Sequence, residues 1–352
     1  MAQAGYTARS AQLGYAAIYR GLLCRLPEPK AVALGQTLLR FLPLDRLRVF
    51  RLTDPSLSVT LGGVRLSNPL ILSSMYYDPR ILRRAMGLGF GAVTTKTITP
   101  TPRPGHPEPN LVRTETALGP GLINCNGFKN PGLAAYRQTL ATLRQRVPLI
   151  VSVAGESVED YATLVDALAP FADLLEVNIS SPNTRLVYAW SQKPREVGHL
   201  FKAIRQATAK PLIVKVSPDF SDANDRAIIP AALDHGIRIV NHGNTRRVDE
   251  PRLSQGFGGL SGPELYPETL AAVRRLRQRF GDQLQIIATG GIDAPDKALE
   301  LLRAGATACS YFTGFITRGP ILARLILEHL REELLRRGIG QLERLCGVGR
   351  DS

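Results

Sequence analysis

Residues 148–217 contain three runs of one kind, PLIVSVA (148–154), LLEVNIS (174–180) and PLIVKVS (211–217). Each is short, apolar and rich in β-branched residues, and helical patterns at 157–168 and 195–208 separate them. A strand buried on both faces reads as a continuous apolar run, whereas a half-exposed strand alternates, so these runs predict a parallel sheet covered by helices. Working outward, the same kind of run recurs at LILSS (70–74) and AVTTK (92–96) on one side, and at RIVNHG (238–243), QIIATGG (285–291) and ACSYFTG (308–314) on the other. Further helical patterns occupy 223–235, 264–280, 294–304 and 319–336. Eight such units predict an α/β fold, the closed (β/α)8 or TIM barrel, over residues 52–352.

Ahead of the barrel, SLSVTLGGVR (57–66) reads as a small β-hairpin turning at Gly62-Gly63. Residues 1–51 form a separate helical extension. Tyr15, Ile18, Tyr19, Leu22 and Leu26 recur at helical period until Pro27 and Pro29, and Leu34, Leu38, Phe41 and Leu42 repeat the spacing until Pro43. The expected element is an amphipathic helical hairpin. Its apolar stripes have two possible fates, packing on the chain's own barrel or lying on a membrane surface through residues 11–42 with arginines at the lipid phosphates.

The charge is distributed in keeping with that division. The chain of 352 residues carries a net +14, of which residues 1–51 supply eight Lys/Arg against two acids, +6, and the remaining 301 residues 36 against 28, +8. At 44% hydrophobic and 21% charged the composition is that of a globular protein, which excludes wholesale disorder. Cys24, Cys125, Cys309 and Cys346 have no spacing suited to a zinc site or a disulfide framework, so no metal is expected and a reducing, cytoplasmic setting is. No run reaches the ~18 apolar residues of a spanning helix, and MAQAGYTARS lacks the pattern of a signal peptide.

Barrel active sites lie at the C-terminal ends of the strands. Here those ends carry Ser73-Ser74, Lys96, Gly155, Asn178 with Ser180-Ser181, Lys215, Gly243-Asn244-Thr245, Gly290-Gly291 and Thr313-Gly314. Lysine is almost never buried without a partner, so Lys96 and Lys215 predict an anionic ligand. The ends TGG and FTG, with GGLSG (258–262) before them, predict a phosphate cradle of glycine backbone and serine hydroxyl. GLGFG (87–91) precedes a strand and so is not a dinucleotide fingerprint. The stretches 97–130 and 244–262 exceed ordinary loop length and are expected to cover the site. VNISSPNT (177–184) offers hydroxyl and amide groups at one edge of the mouth, suited to an amide-bearing ring. Bland readings suffice for Cys125 (packing) and His242 (a satisfied structural histidine), while Trp190 lies in a stretch able to cover the mouth.

These motifs, in order NPLILSS, TITPTPRPGHPEPNLVR, LINCNGF, VNISSPNT, PLIVKVSPD, GNT, GGLSG, ATGGI and FTGFITRGP, resemble those of the dihydroorotate dehydrogenases over about residues 14–337. The resemblance implies FMN in the barrel mouth and oxidation of dihydroorotate to orotate, a step of pyrimidine biosynthesis. The N-terminal hairpin and a serine at the base position are similar to the membrane-associated class, implying quinone as acceptor and peripheral attachment to the cytoplasmic membrane. Carried over by position, Ser181 is the base and Lys215 the lysine at the flavin N1/C2 edge. Ser73, Ser74, Thr97, Asn124, Asn178 and Gly243 match positions around the flavin ring and ribityl chain; Ser261, Gly262, Gly290, Gly291, Phe312 and Thr313 match the phosphate cradle. Asn124, Asn126, Gly127, Phe128, Asn183, Asn244 and Thr245 match the substrate shell.

The chain also departs from that class. The position of its substrate lysine is Tyr77 here, Met75 replaces a small residue, and Lys96 instead matches the lysine of the soluble class. The resemblance therefore implies a hybrid catalytic pair, Ser181 and Lys96. It leaves open a related FMN enzyme acting on a different ring or enone. Two further readings compete. A non-catalytic basic barrel binding RNA or anionic lipid has only the charge in its favour, and aromatics at 6% show none of the interleaving of nucleic-acid binders, so no nucleic acid is expected. A Schiff-base lyase built on Lys215 leaves VNISSPNT unexplained.

Overall fold

The computed structural model of the chain describes residues 2–180, 190, 194–217 and 222–346. Along the chain, α1 (Ala2–Gly21) and α2 (Glu28–Phe41) come first, then the hairpin β1 (Val59–Leu61) and β2 (Val64–Leu66). Next are β3 (Leu70–Tyr76), α3 (Pro79–Ala85), β4 (Ala92–Thr95), β5 (Leu111–Thr116), β6 (Gly119–Asn124), α4 (Gly132–Thr142), β7 (Leu149–Val153), α5 (Val158–Leu168) and β8 (Leu174–Asn178). Then follow α6 (Pro194–Ala207), β9 (Leu212–Val216), α7 (Asp222–Asp234), β10 (Ile239–His242), β11 (Arg246–Asp249) and β12 (Phe257–Ser261). The chain ends in α8 (Tyr266–Phe280), β13 (Gln285–Thr289), α9 (Pro295–Arg303), β14 (Ala308–Tyr311), α10 (Thr313–Arg318) and α11 (Leu322–Arg337).

Strands β3, β4, β7, β8, β9, β10, β13 and β14 close a barrel in which every pairing is parallel. The expected (β/α)8 architecture is the observed one. Residues such as Leu70, Val93, Leu149, Leu174, Leu212 and Val240 are buried in one continuous core between strands and helices. The type of each strand follows from that double burial, since most residues along it are shielded from water on both faces.

The turn of the β1–β2 hairpin is made by Gly62 and Gly63, with φ of 58° and 81°, as a tight two-residue connection requires. This hairpin sits against the barrel's N-terminal end, where the Gly62 amide donates to Gln285 Oε1 at 2.7 Å and Gln285 Nε2 donates to the Thr60 carbonyl at 2.8 Å. The glycines of GLGFG serve close packing. A Cβ at Gly87, Gly89 or Gly91 would collide with Asp45, Phe50 and Asn68 respectively.

Two features exceed the sequence reading. Helices α3 and α4 complete the alternation after β3 and β4. The two long stretches are not irregular: they supply β5, β6, β11 and β12, which form a four-stranded antiparallel sheet in the order β11-β12-β6-β5. Because β5 and β6 follow β4, and β11 and β12 follow β10, this sheet stands at the C-terminal mouth. In the N-terminal hairpin the apolar stripe divides. Tyr15 donates to the Ile316 carbonyl at 2.6 Å and Tyr19 is buried, whereas Ile18 and Leu22 face outward.

Candidate active site

Strand register sets the site. Asn178 pairs with Lys215 and Lys215 with Asn241, so three polar side chains stand at one level on neighbouring strands β8, β9 and β10. Side chains two apart along a strand share a face, which places Glu176 beneath Asn178 and, through its pairing, Ser152 of β7 beside Glu176. The last turn of the barrel interior is therefore polar, above an apolar floor.

The hydrogen bonds run in one direction. Asn244 Nδ2 donates to Ser180 Oγ at 2.9 Å, and Ser180 Oγ donates to Asn178 Oδ1 at 3.0 Å. Asn178 Nδ2 donates to Thr97 Oγ1 at 3.2 Å, and Ser152 donates to Glu176 Oε1 at 2.8 Å, which leaves Thr97 as donor to Ser152 between hydroxyls 3.0 Å apart. From the other side Thr289 Oγ1 donates to Asn241 Oδ1 at 2.6 Å, and Asn241 Nδ2 to Glu176 Oε2 at 2.6 Å. Lys215 Nζ lies 3.7 Å from Glu176 Oε1 and 3.5 Å from Ser74 Oγ. Ser73 bonds Ser310, Oγ to Oγ, at 2.7 Å.

Lys96 ends β4. Its amide donates to the Tyr76 carbonyl at 2.8 Å and its own carbonyl accepts from Tyr136 Oη at 3.0 Å, so the backbone is fixed from both sides. Among the described residues no carboxylate lies within ion-pair distance of its ammonium. Burial, reinforced by the charges of Lys215 and Lys129, pulls its pKa down to about 8. Such a group is available to a carboxylate-bearing ligand.

The mouth sheet brings its own residues. Asn124 Nδ2 donates to the Gly259 carbonyl at 3.4 Å and Asn124 Oδ1 accepts from Asn126 Nδ2 at 3.1 Å. Gly127 and Phe128 both have positive φ, 62° and 56°, and Phe128 holds that strained conformation while packed on Ala154. Thr245 Oγ1 is buried with no hydrogen-bond partner, an orphaned hydroxyl beside Asn244. On the far side Thr313 Oγ1 donates to Ser261 Oγ at 2.9 Å, and Ser261 to the Leu122 carbonyl at 3.1 Å. Gly243, Gly262, Gly290 and Gly291 have φ of 144°, 123°, 125° and 75°, and a Cβ at Gly291 would collide with the Tyr266 backbone. A phosphorylated ligand fits this edge, where hydroxyls and side-chain-free backbone lie together. Phe312 stands next to it, edge-on to Tyr76 at 5.4 Å between ring centroids.

The structure thus brings together Ser74, Lys215, Thr97, Asn178 and Asn244 in one linked set, Ser261, Thr313 and the glycines in another, and leaves Ser73 bonded to Ser310. Ser181 and Asn183 lie outside the described residues. His242 faces the helical layer, 3.3 Å from Asp225, and Trp190 packs edge-on to Tyr161 at 6.1 Å. Cys125 is buried in a small apolar cluster with Val112, Ile123, Leu253 and Leu260. Glu176, Ser152, Asn241, Thr289 and Ser310 escaped the sequence reading, which took only strand ends. The signal was there: a charged or amide residue interrupts LLEVNIS and RIVNHG at the inward phase.

The family model described as dihydroorotate dehydrogenase matches residues 56–334. The protein named dihydroorotate dehydrogenase (quinone) of Mycobacterium tuberculosis is 35% identical over 352 aligned residues, covering 95% of this chain and 98% of its own. The catalytic subunit named dihydroorotate dehydrogenase B (NAD(+)) of Pyrococcus abyssi is 35% identical over 301 residues, covering 83% of this chain and 98% of its own. Among solved structures, the crystal structure of the Eimeria tenella DHODH in complex with ferulenol matches with a TM-score of 0.82 at 26% identity, covering 95% of this chain and 99% of that one. With its family model spanning most of the barrel and relatives of this identity along nearly its whole length, the chain belongs to the dihydroorotate dehydrogenase family.

Proposed function

We propose that the chain is an FMN-dependent enzyme that oxidises dihydroorotate to orotate and passes the electrons to a quinone. One observation carries the reading: a hydrogen-bonded set from Asn244 to Glu176, with Lys215 paired to Glu176 at 3.7 Å, stands at the barrel mouth opposite a cradle of serine, threonine and glycine. Ser74, Thr97, Asn178 and Lys215 would hold the ring and ribityl chain of FMN, and Ser261, Gly262, Gly290, Gly291, Phe312 and Thr313 its phosphate. When bound, FMN accepts hydride from C6 of the substrate and delivers the electrons onward. The Lys215 side chain would favour negative charge on the edge of a bound flavin ring. Asn124, Asn126, Asn244 and the orphaned Thr245 hydroxyl would satisfy the substrate's amide edges, and the Lys96 ammonium its carboxylate. Ser181 would take the proton from C5; a hydroxyl is a weak base, so its proton must pass on to a neighbouring acceptor.

Tyr77 stands where the quinone class carries its substrate lysine, and it is 44% exposed. The partly buried Lys96 supports substrate anchoring by the alternative lysine. Relatives named for quinone and for NAD(+) match equally well in identity, so the acceptor is argued from the N-terminal hairpin. Leu13, Ile18, Leu22, Val32, Leu38, Phe41, Leu42 and Leu47 are eight of the eleven exposed large hydrophobic side chains among the described residues, and Arg20, Arg25, Lys30, Arg46 and Arg48 stand exposed among them. Such a face suits peripheral contact with an anionic membrane, where quinone resides. No helix of the described residues is long and apolar enough to cross a membrane.

The purified chain is expected to be yellow, and anaerobic dihydroorotate to bleach its flavin absorbance. Ser181→Ala should keep the flavin and slow bleaching by about 10²- to 10⁴-fold, the usual contribution of a general base. A protein that takes up no FMN overturns the proposal, and bleaching only by another ring or enone moves the substrate.

A further inference from the structure

Glu176 is the one carboxylate among the described residues that reaches into the polar end of the barrel. It is 2% exposed, and its partners among the described residues are the groups already named: Ser152 and Asn241 as donors and Lys215 as counter-charge. The charged groups facing Lys215 from neighbouring elements are Glu176 on β8 and Lys96 at the end of β4, with Lys129 beyond Lys96. Its other polar neighbours are Ser74 on β3, Asn178 on β8 and Asn241 on β10. Two ammonium groups in one desolvated space repel each other, and one of them has a carboxylate within reach.

We propose that Glu176 is a positioning residue that supplies the counter-charge holding Lys215 in place at the barrel mouth and, through Ser152 and Thr97, orients the amides of Asn178 and Asn244. Both of its oxygens accept hydrogen bonds. Acceptance on both sides is what a carboxylate supplies and a glutamine amide cannot. The chain from Asn244 through Ser180, Asn178, Thr97 and Ser152 has every donor pointing toward Glu176, so an anion at its end fixes the direction of the whole chain. The part of this inference that concerns flavin rests on the FMN reading above. The pairing itself does not.

The test is a double-mutant cycle on the full chain, with FMN and after its removal, using Glu176→Gln, Lys215→Met and both together. Breaking a buried pair leaves an uncompensated charge, so Glu176→Gln alone should lower Tm by about 5–10 °C, yet cost less than half of that in the Lys215→Met background. Equal losses in both backgrounds overturn the proposal. If Glu176→Gln does not fold, folding of the double variant supports the pairing, and failure of both overturns it.

The second readout is the midpoint potential of bound flavin. Glu176→Gln removes the counter-charge facing Lys215, which favours reduced flavin, so the variant's potential should lie above that of wild type. Each tenfold tightening of reduced over oxidised FMN raises a two-electron potential by about 30 mV. A potential equal to or below that of wild type overturns the role toward flavin. A wild-type chain that binds no FMN overturns the flavin reading instead, and the cycle in the flavin-free protein still judges the pair.

Discussion

Lys96 and Lys215 stand at the same mouth in unlike surroundings: one has Glu176 at 3.7 Å, the other has no carboxylate within reach among the described residues. The unpaired one is the better ligand group for an incoming anion, because its charge is not already spent on the protein. With its pKa pulled from 10.5 to about 8, Lys96 is charged below that pH and increasingly neutral above it. Substrate capture by the free enzyme should follow the charged form. We therefore expect kcat/KM for dihydroorotate to decline as pH rises through about 8, a limb that Lys96→Met removes while lowering kcat/KM by about 10- to 100-fold, the worth of one charge-assisted contact. An unchanged alkaline limb in Lys96→Met would assign the titration elsewhere. Both lysines were legible in the sequence, because lysine at the end of an apolar run has no structural excuse. Glu176 was legible only as a charge interrupting LLEVNIS, since its partners are hidden until the register of the neighbouring strands is known.

Arg113 on β5 binds the connector between α1 and α2. Its guanidinium donates to the carbonyl of Leu23 at 2.8 Å and to that of Leu26, and it lies 3.4 Å from Glu28. The hairpin is thus latched to the mouth sheet by one side chain. Arg113→Ala removes charge-assisted bonds worth about 1.5–3 kcal/mol, so tryptic cleavage at Arg20 and Arg25 should accelerate at least tenfold, with the unfolding temperature of the barrel little changed. Cleavage at the wild-type rate would show that the other attachments, Tyr15 and Tyr19 on the barrel and the Arg40–Asp78 pair, hold the hairpin without Arg113. The barrel strands were legible because double burial makes them uniform. The mouth strands were not: GPGLIN and FGGLS carry glycines that weaken any strand pattern, and their pairing joins residues more than a hundred positions apart, as in Leu122 with Ser261. Those glycines are required, since a Cβ at Gly121 would meet the Ser261 carbonyl at 2.8 Å and one at Gly258 the Asn124 carbonyl at 2.8 Å.

On the scale of the whole molecule, charge and apolar exposure coincide. Residues 1–51 carry +6 of the net +14 and eight of the eleven exposed large hydrophobics among the described residues. Neither quantity alone fixes a partner, since basic surfaces also attract nucleic acid and apolar patches also bury against protein. Together they fit an interface of acyl chain and phosphate, where each basic residue near an anionic surface adds about 1 kcal/mol and each inserted large side chain about 1.5–3 kcal/mol. The two contributions respond to different perturbations. The full chain should sediment with vesicles containing anionic phospholipid and be released in part as salt shortens the Debye length, whereas Phe41→Glu, at a side chain 61% exposed, should weaken partition about tenfold or more at any salt concentration. Flavin reduction by dihydroorotate should be unaltered in that variant, because the chemistry sits at the barrel mouth, while turnover with vesicle-borne quinone should fall in step with partition. Equal turnover of Phe41→Glu and wild type on vesicle-borne quinone would remove the hairpin from electron delivery and shift the acceptor toward a soluble carrier.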